Sequence, residues 1–355
     1  MGFFANLFQK KKYTESVVLI DISANSVAGA YVRYIESEIP CLLFECRLPI
    51  EVREGEPQDL AMVRSLQTLG DELIREGAPI LLRATGDGHS DKVLVSIDSP
   101  WEEISVRTEK FERKDPFMFT KNMVTTALEK TNPASSEKIL ADESIIGTIL
   151  NGYGTNDPYG KRVHRASVIV ISTFINKDIS KSIVSTLRSI FHTKHVVSIA
   201  GRSLRYQAIR AAFPHEHDAL ILDAAGSLTS VALIRKNLFT AFIEVPTPIT
   251  NAESWIETIT SEFTELAKQY PLPRVIFLLA NESDISSLQQ ALTTTPQIGG
   301  FNSLWLSDNP PKIVPVLAGT IAGLIRQTAT STPDLQLHLM ALYYQQMLYL
   351  NHAYI

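Results

Sequence analysis

The sequence predicts an α/β protein made of two halves built to one plan. Three observations carry that prediction. The segment "VVLIDISANSVAGAYVRY", Val17 to Tyr34, reads as an apolar strand ending in an acid, a turn of small polar residues and an outgoing strand. "LILDAAGSLTSVALIRK" repeats this order, so that Asp223 to Arg235 covers the same twelve steps as Asp21 to Arg33. Each pair is followed by a third strand and then by helix alternating with strand, the pattern of a sheet covered on both faces. At 355 residues, 45 % hydrophobic and 20 % charged, the chain is long enough to bury a core in each half.

The elements follow in order. The opening "MGFFANLFQKKK" groups Phe3, Phe4, Leu7 and Phe8 ahead of Lys10, Lys11 and Lys12. That pattern suits peripheral membrane contact, in which apolar insertion is backed by basic residues, and suits equally a frayed leader; residues 1–14 are set apart accordingly. Asn6 stands where a myristoylation motif wants Ser or Thr. The first half, 15–83, continues from the hairpin into a third strand, "IPCLLFECRLPI". A helix follows with Leu60, Val63, Leu66, Leu69 and Leu73 at helical spacing, stopped by Gly77 and Pro79. Residues 84–164 read as an inserted small α+β subdomain with its own sheet. It comprises the strand-like "DKVLVSIDSPWEEISVRTEKFE", a helix around "TKNMVTTALEK", a polar loop "TNPASSEK" and the strand "ESIIGTILNGY". The first half resumes over 165–212 with the strand "RASVIVISTF" and the helix "DISKSIVSTLRSIF".

The second half, 213–330, adds to its hairpin the strand "FTAFIEVPT" and a helix with Trp255, Ile259, Phe263, Leu266 and Tyr270 on one face. The buried strand "RVIFLLA", a helix from Ser283, the strand "SLWLS" and a helix after Pro315 complete it. In the tail, 331–355, Leu335, Leu339, Leu342, Met347, Leu350 and Tyr354 lie near heptad spacing, with no charge after Asp334. This helical tail either packs on its own domain or meets a partner helix or another subunit.

Composition excludes several classes. A net charge of -5, a pI near 5.9 and the lack of a Lys/Arg stripe interleaved with aromatics argue against nucleic acid as a partner. Cys41 and Cys46 point to opposite faces of an extended strand about 16 Å apart along it, too far to pair, which fits a reducing compartment. Apolar runs such as "SVIVISTFI" fall short of the ~18 residues of a membrane span, and no signal peptide is expected, so the chain reads as cytoplasmic. "HEHD", His215 to Asp218, lacks a distant Cys or His at metal-site spacing and reads as a solvated loop. His192 and His195 close a helix, where positive charge suits the dipole. No Ser/His/Asp arrangement can be assigned.

The strand-ending acids are the chemical signal. Turns of unpaired N–H groups and small side chains admit anionic oxygens, and a carboxylate at each strand end can hold Mg²⁺ through water. Two such turns in matching register resemble the actin/Hsp70 superfamily and, within it, the FtsA and PilM type of cell-division and type IV pilus assembly protein. The turns are similar to that superfamily's phosphate-binding hairpins, approximately D-x-G-S/T-S/T and D-x-G-G-G-T-T/S. "LNGYGTNDPYGKRV" is similar to an Asn-Gly-Tyr and Pro-Gly stretch in the subdomain that FtsA carries in place of an actin subdomain. "KDISKSIVSTLRSIFHTKHVVSIAGRSLRYQAI" resembles the helix and strand leading to the interdomain connecting helix, and the opening Leu-Phe before several lysines is similar to PilM.

The resemblance implies duplicated ribonuclease H-like domains of actin-like kind around an interdomain cleft. It implies ATP and Mg as the ligands of that cleft, held by Asp21, Ser23, Asn25, Ser26, Asp223, Gly226, Ser227, Thr229 and Asn281, with Asp21 and Asp223 on the metal side. The departures weaken that site. Ser23 replaces the first turn's glycine; Ala225 and Ser227 replace two in the second, leaving Gly226; Leu228 stands where threonine belongs, although Thr229 follows. Ala280 and Asn281 stand in place of the Gly-Gly of the adenosine turn. Each added Cβ costs roughly 1 kcal/mol or blocks ligand approach. Nucleotide binding is therefore expected to be weak or lost, residual binding falling to the Ser26, Ser227 and Thr229 hydroxyls, with no catalytic residue assigned. On the plainer alternative, Asp21 and Asp223 cap their turns by accepting backbone N–H bonds.

The function implied is that of a scaffold at the inner face of the cell membrane, with little or no catalysis, coupling the cytoplasmic tail of an inner-membrane protein to a larger assembly. Self-association in rows through the inserted subdomain belongs to the same reading. Chain length and leader lean to pilus assembly, "LNGY" to division. The rival is a working ATPase or sugar kinase of the same superfamily, which needs the glycine turns this chain lacks and a catalytic base the sequence does not place. A chaperone of the Hsp70 kind would need a substrate-binding domain.

Overall fold

The computed structural model describes residues 13–129, 136–155, 157–226, 228–236, 238–245, 251–295, 305, 310–328 and 332–352. Thr14–Ile22 (β1) is buried at every position after the first, as a central strand covered on both faces must be. Ser26–Ile35 (β2) returns antiparallel to it, and Cys41–Pro49 (β3) adds beyond β2. Helix α1, Gln58–Glu72, packs Met62, Leu66 and Leu69 into the core on one face of this sheet.

Gly77 and Pro79 do not stop that helix. A π turn, Leu73–Gly77, leads directly into α2, Ala78–Thr85, which ends on Gly86 in the left-handed conformation (φ 81°). Proline cannot donate to an i→i−4 ladder, and the residue before it, Ala78, donates its N–H across the wide turn to Leu73 O. A Cβ on Gly77 would lie 2.6 Å from the Tyr31 ring, so glycine is what lets the helix approach β2.

Lys92–Ile97 (β4) lies parallel to β1 at the centre of the same sheet. It therefore does not belong to an insertion spanning 84–164. The separate four-stranded sheet runs from Glu102 to Asn176, with Glu102–Met118 (β5), Lys138–Leu150 (β6), Tyr153–Gly154 (β7) and Arg162–Asn176 (β8) in the order β5-β8-β6-β7. Helix α3, Lys121–Leu128, covers it, capped by Thr120. Two strand signals fused in one run, "DKVLVSIDSPWEEISVRTEKFE", hid the crossing from one sheet to the other at Asp98–Trp101.

Helix α4, Lys177–Phe191, capped by the Asn176 side chain, packs beside α1, and Val196–Ala200 (β9) pairs parallel with β4. Helix α5, Gly201–Ala212, then leads into the second half. There Ala219–Asp223 (β10), Thr229–Arg235 (β11) and Leu238–Val245 (β12) form the antiparallel triplet. After helix α6, Ala252–Gln269, come Val275–Leu279 (β13), parallel to β10, and helix α7, Glu282–Thr294. Lys312–Pro315 (β14) pairs with β13. Of the expected strand "SLWLS" only Trp305 is described, bridging to Leu272. The helix expected after Pro315 is a short 3-10 segment, Ala318–Leu324.

The sheet orders, β15-β3-β2-β1-β4-β9 and β12-β11-β10-β13-β14, are the same plan twice. Even the hairpin registers agree. Asp21 lies opposite Ala28, and Asp223 opposite Ser230. The extra strand of the first sheet, Arg326–Gln327 (β15), comes from the far end of the chain and pairs with Cys41 and Leu42. Helix α8, Leu335–His352, continues from there. Its residues Leu337, Leu339, Met340 and Leu342 join Val17, Leu19 and Ala30 of the first sheet and Ile221, Ala232 and Phe277 of the second in one core that also takes in α5. The tail thus packs on its own molecule. Residues 1–12 of the leader, Ser227 and Tyr354 lie outside the described residues. Among the described residues no helix is long and apolar enough to cross a membrane.

Leu339→Ala should cost about 2–5 kcal/mol of unfolding free energy, the range for emptying a fully buried leucine site. Tyr349→Ala, on the exposed side of the same helix, should change it by no more than about 0.5 kcal/mol. Urea unfolding followed by circular dichroism separates the two.

Candidate functional site

A cavity of about 510 Å³ lies at the junction of the halves, lined by Asp21 at the end of β1 and by Ala225 of the turn after β10, whereas Asp223 itself does not line it. Asp21, Ser23 and Ser26 line it from the first half, Ala280 and Asn281 from the second, and Thr332 to Gln336 from the returning chain. Asp98, two residues beyond the β4 position paired with Asp21, is the first-half counterpart of Asn281, two beyond the β13 position paired with Asp223. Parallel pairing and equal overhang bring these residues to one edge.

Both strand-ending acids are held by arginines. Arg205, on α5, donates from Nε to Asp223 Oδ2 at 2.7 Å, and from Nη1 and Nη2 to the two Asp98 oxygens at 2.6 and 2.9 Å. Its side chain is 3 % exposed, and it joins a carboxylate of each sheet. Gly201 makes room for this, since a Cβ there would stand 2.5 Å from Asp98 Oδ1. Arg47, at the end of β3, donates from Nη2 to Asp21 Oδ2 at 3.0 Å, from Nε to Asp334 Oδ2 at 2.6 Å, and from Nη1 to Ser26 Oγ at 2.7 Å. Asp334 in turn accepts the N–H groups of Gln336 and Leu337 and so caps α8.

The turns spend much of their donor capacity on themselves. Ser23 N–H donates to Ser26 O at 3.0 Å, and the two serine hydroxyls lie 2.9 Å apart. Trp101 Nε1 donates to Ser23 O and fixes the turn from behind. In the second turn Ala224 N–H donates to Leu279 O, and Ala225 N–H to Asp223 Oδ1 at 3.2 Å. Asp223 is thus a turn cap and an arginine partner together. Asp21 Oδ1 has no hydrogen-bond partner in the protein.

The remaining sequence candidates divide. Thr229 is buried, its Oγ1 accepting from Trp255 Nε1 at 2.9 Å, and it does not line the cavity. Asn25 is exposed at the turn tip, and its carbonyl accepts from Ile50 N–H. Gly226 does not line the cavity, and a Cβ there would meet only Leu228 O, at an ordinary 3.8 Å. Asn281 caps the start of α7 and lines the cavity, with its Nδ2 3.4 Å from Asp284 Oδ2. Arg47, Asp98, Arg205 and Asp334 escaped the sequence reading. Asp98 carried a signal, since "KVLVSID" repeats the strand-then-acid order; the two arginines had none, their partners being set by folding.

Charge follows from this packing. Burial holds the Asp21 carboxyl above the ordinary carboxylate range; Arg47 opposes the rise and the nearby Asp98 and Asp334 add to it. For Asp334 burial works the same way, but the bonds and charge of Arg47 outweigh it and hold the group below its ordinary value. Burial works against both guanidiniums and is overcome by their carboxylates, so both stay protonated above the usual arginine value. Among the described residues no group of three His, Cys, Asp or Glu is arranged to hold a metal ion.

No family model matches the chain, and no curated protein matches it. Among solved structures, a chain of the PilM–PilN type IV pilus biogenesis complex superimposes with a TM-score of 0.58 over 93 % of this chain and 98 % of that one, at 14 % identity. The chain has an actin-like fold. A Bacteroides thetaiotaomicron protein described as having an actin-like ATPase fold matches at a TM-score of 0.45 and 11 % identity, over 92 % of this chain and 95 % of that one. The cytoplasmic domain of EpsL, an inner-membrane component of the Vibrio cholerae type II secretion system, matches at 0.38 and 9 %, over 94 % of each chain. The actin-like fold accounts for the duplicated sheets and for a cavity at their shared edge.

Arg205→Ala would leave Asp98 and Asp223 buried without their cation, and should cost about 3–5 kcal/mol of stability in urea unfolding. A depressed carboxyl contributes stability that is present above its unfolded pKa and lost as pH falls through the folded one; a raised carboxyl, as in Asp21, has the opposite sign. The melting-temperature gap between wild type and Asp334→Asn, open at pH 7, should therefore close as pH falls below the ordinary carboxylate range.

Proposed function

We propose that the protein is a scaffold of actin-like fold, with little or no nucleotide turnover, that holds the cytoplasmic tail of an inner-membrane protein in a type IV pilus assembly. The observation that carries this reading is the engagement of both strand-ending acids by Arg47 and Arg205. A magnesium polyphosphate needs acid oxygens free for the ion's waters and turn N–H groups free for phosphate oxygens. Here Asp21 Oδ2, Asp223 Oδ2 and both Asp98 oxygens accept from guanidiniums, and the N–H groups of Ser23, Ala224 and Ala225 are used inside the protein. These residues do not fit a magnesium nucleotide, and no catalytic step is assigned to them.

The partner in this reading is drawn from the likeness to a chain whose complex pairs PilM with PilN. That likeness, extending over nearly the whole of both chains, favours the pilus setting over cell division. A position at the inner face of the membrane and self-association through the inserted sheet are parts of the same proposal.

Titration of the purified protein with ATP and Mg²⁺ should leave the melting temperature unchanged and release no phosphate. A nucleotide bound at 100 times its Kd would stabilise the protein by about 2.7 kcal/mol. A saturable upward shift with phosphate release would return the protein to the ATPases. The partner is sought by co-purification with inner-membrane proteins encoded beside its gene, and recovery of none of them would remove the tail-binding role.

A further inference from the structure

The scaffold reading leaves unexplained an open cavity with a pronounced excess of acid. We propose that it is a receptor for an organic cation, an ammonium or guanidinium group on an aliphatic stem, seated against Asp21. Asp21, Glu45, Asp98, Glu282 and Asp334 line the cavity, against Arg47 and Arg205 as its lining bases, and Asp223 lies behind Arg205. Among these lining acids Asp21 holds the buried oxygen that is left without a donor: the residue is 1 % exposed, and its Oδ1 has no hydrogen-bond partner in the protein. A buried carboxylate oxygen without a donor is costly, and a positive donor relieves it. A polyphosphate would add negative charge to the same place.

The form of the cavity selects among cations. A bound Mg²⁺ or Ca²⁺ ion needs six or more oxygens around it, and the neighbouring acid oxygens already accept from arginine. About 510 Å³ is the size of a small-molecule pocket. Leu317, Ala318, Pro333 and Leu335, interspersed with the acids in the lining, provide apolar surface for a methylene stem. An apolar stem with a charged head is the shape of a basic side chain and of a small aliphatic amine. One ligand chemistry therefore has two sources, a lysine or arginine of a partner protein and a free amine.

The test is calorimetric and thermal-shift titration of the full chain at constant ionic strength with agmatine, with a blocked Gly-Arg-Gly peptide, and with MgCl₂. A saturable response to agmatine alone makes a free amine the ligand, and a response to the peptide makes it a partner's side chain; either supports the site. Asp21→Asn should weaken that binding at least tenfold, and Glu282→Gln, at the rim, by a smaller factor. Should Asp21→Asn fail to fold, Glu282→Gln decides. No saturable response to either organic cation, an equal response to MgCl₂, or unchanged affinity in the variants would overturn the inference. The result is independent of the ATP titration, so either reading can fail alone.

Discussion

A guanidinium shared between two sheets is the constraint around which this molecule is arranged. Arg205 sits on the helix that joins the halves and reaches Asp98 on one side and Asp223 on the other. Burying an arginine and two carboxylates is expensive, and such a cluster persists only when each charge meets its partners in good geometry. The geometry here comes from elements that cannot move independently. β4 and β10 are central strands, α5 is clamped between them and α8, and Gly201 gives Asp98 the space to come close. Removing one member therefore disturbs both halves, whereas removing a surface ion pair such as Lys268–Glu265 would leave the fold indifferent.

The second cluster is built on different logic. Arg47 is about one third exposed and joins Asp21 to Asp334, a residue of the returning chain. Asp334 is at once the cap of α8 and a wall of the cavity, and β15 beside it closes the outer edge of the first sheet. The chain end is thus wired to the cleft by one carboxylate with two duties. The turns carry the same mark: Ser23, which stands in place of glycine in the first one, bonds to Ser26, and Ser26 accepts from Arg47, which turns an open loop of donors into a closed one. Duplication has been kept in the backbone, down to the hairpin register, while the side chains at the two edges have diverged.

What could be read from the sequence was what is local. Strand, acid, small turn and outgoing strand are consecutive residues with a period of two, so Asp21 and Asp223 declared their places at once. The helix over Leu66 and Leu69 was equally plain, yet its continuation past Gly77 was not, because the reason lies in Tyr31 on a neighbouring strand. The insertion was placed too early since β4 and β5 are adjacent runs of similar composition, and only pairing with β1 assigns the first to the central sheet. Thr229 shows the limit of motif transfer: its hydroxyl is buried and serves Trp255, a residue of a distant helix that no local pattern announces. Arg47 and Asp334 lie 287 positions apart, and no local pattern announces such a pair.

This separation of local from distant also governs what the cleft can do. Local sequence preserved the two acids, and on that ground alone the site reads as one for a metal and a phosphate. Distant residues then supplied two positive charges that occupy those acids from within the protein. Each guanidinium removes acceptor capacity a metal's waters would use, but neither cancels the excess of carboxylates, so the cleft keeps a negative character while losing its order for a polyphosphate. A site changed in this way does not become inert. What it leaves is a buried acceptor, Asp21 Oδ1, without a donor in the protein, on the same carboxylate that Arg47 ties to Asp334 at the start of the chain's last helix.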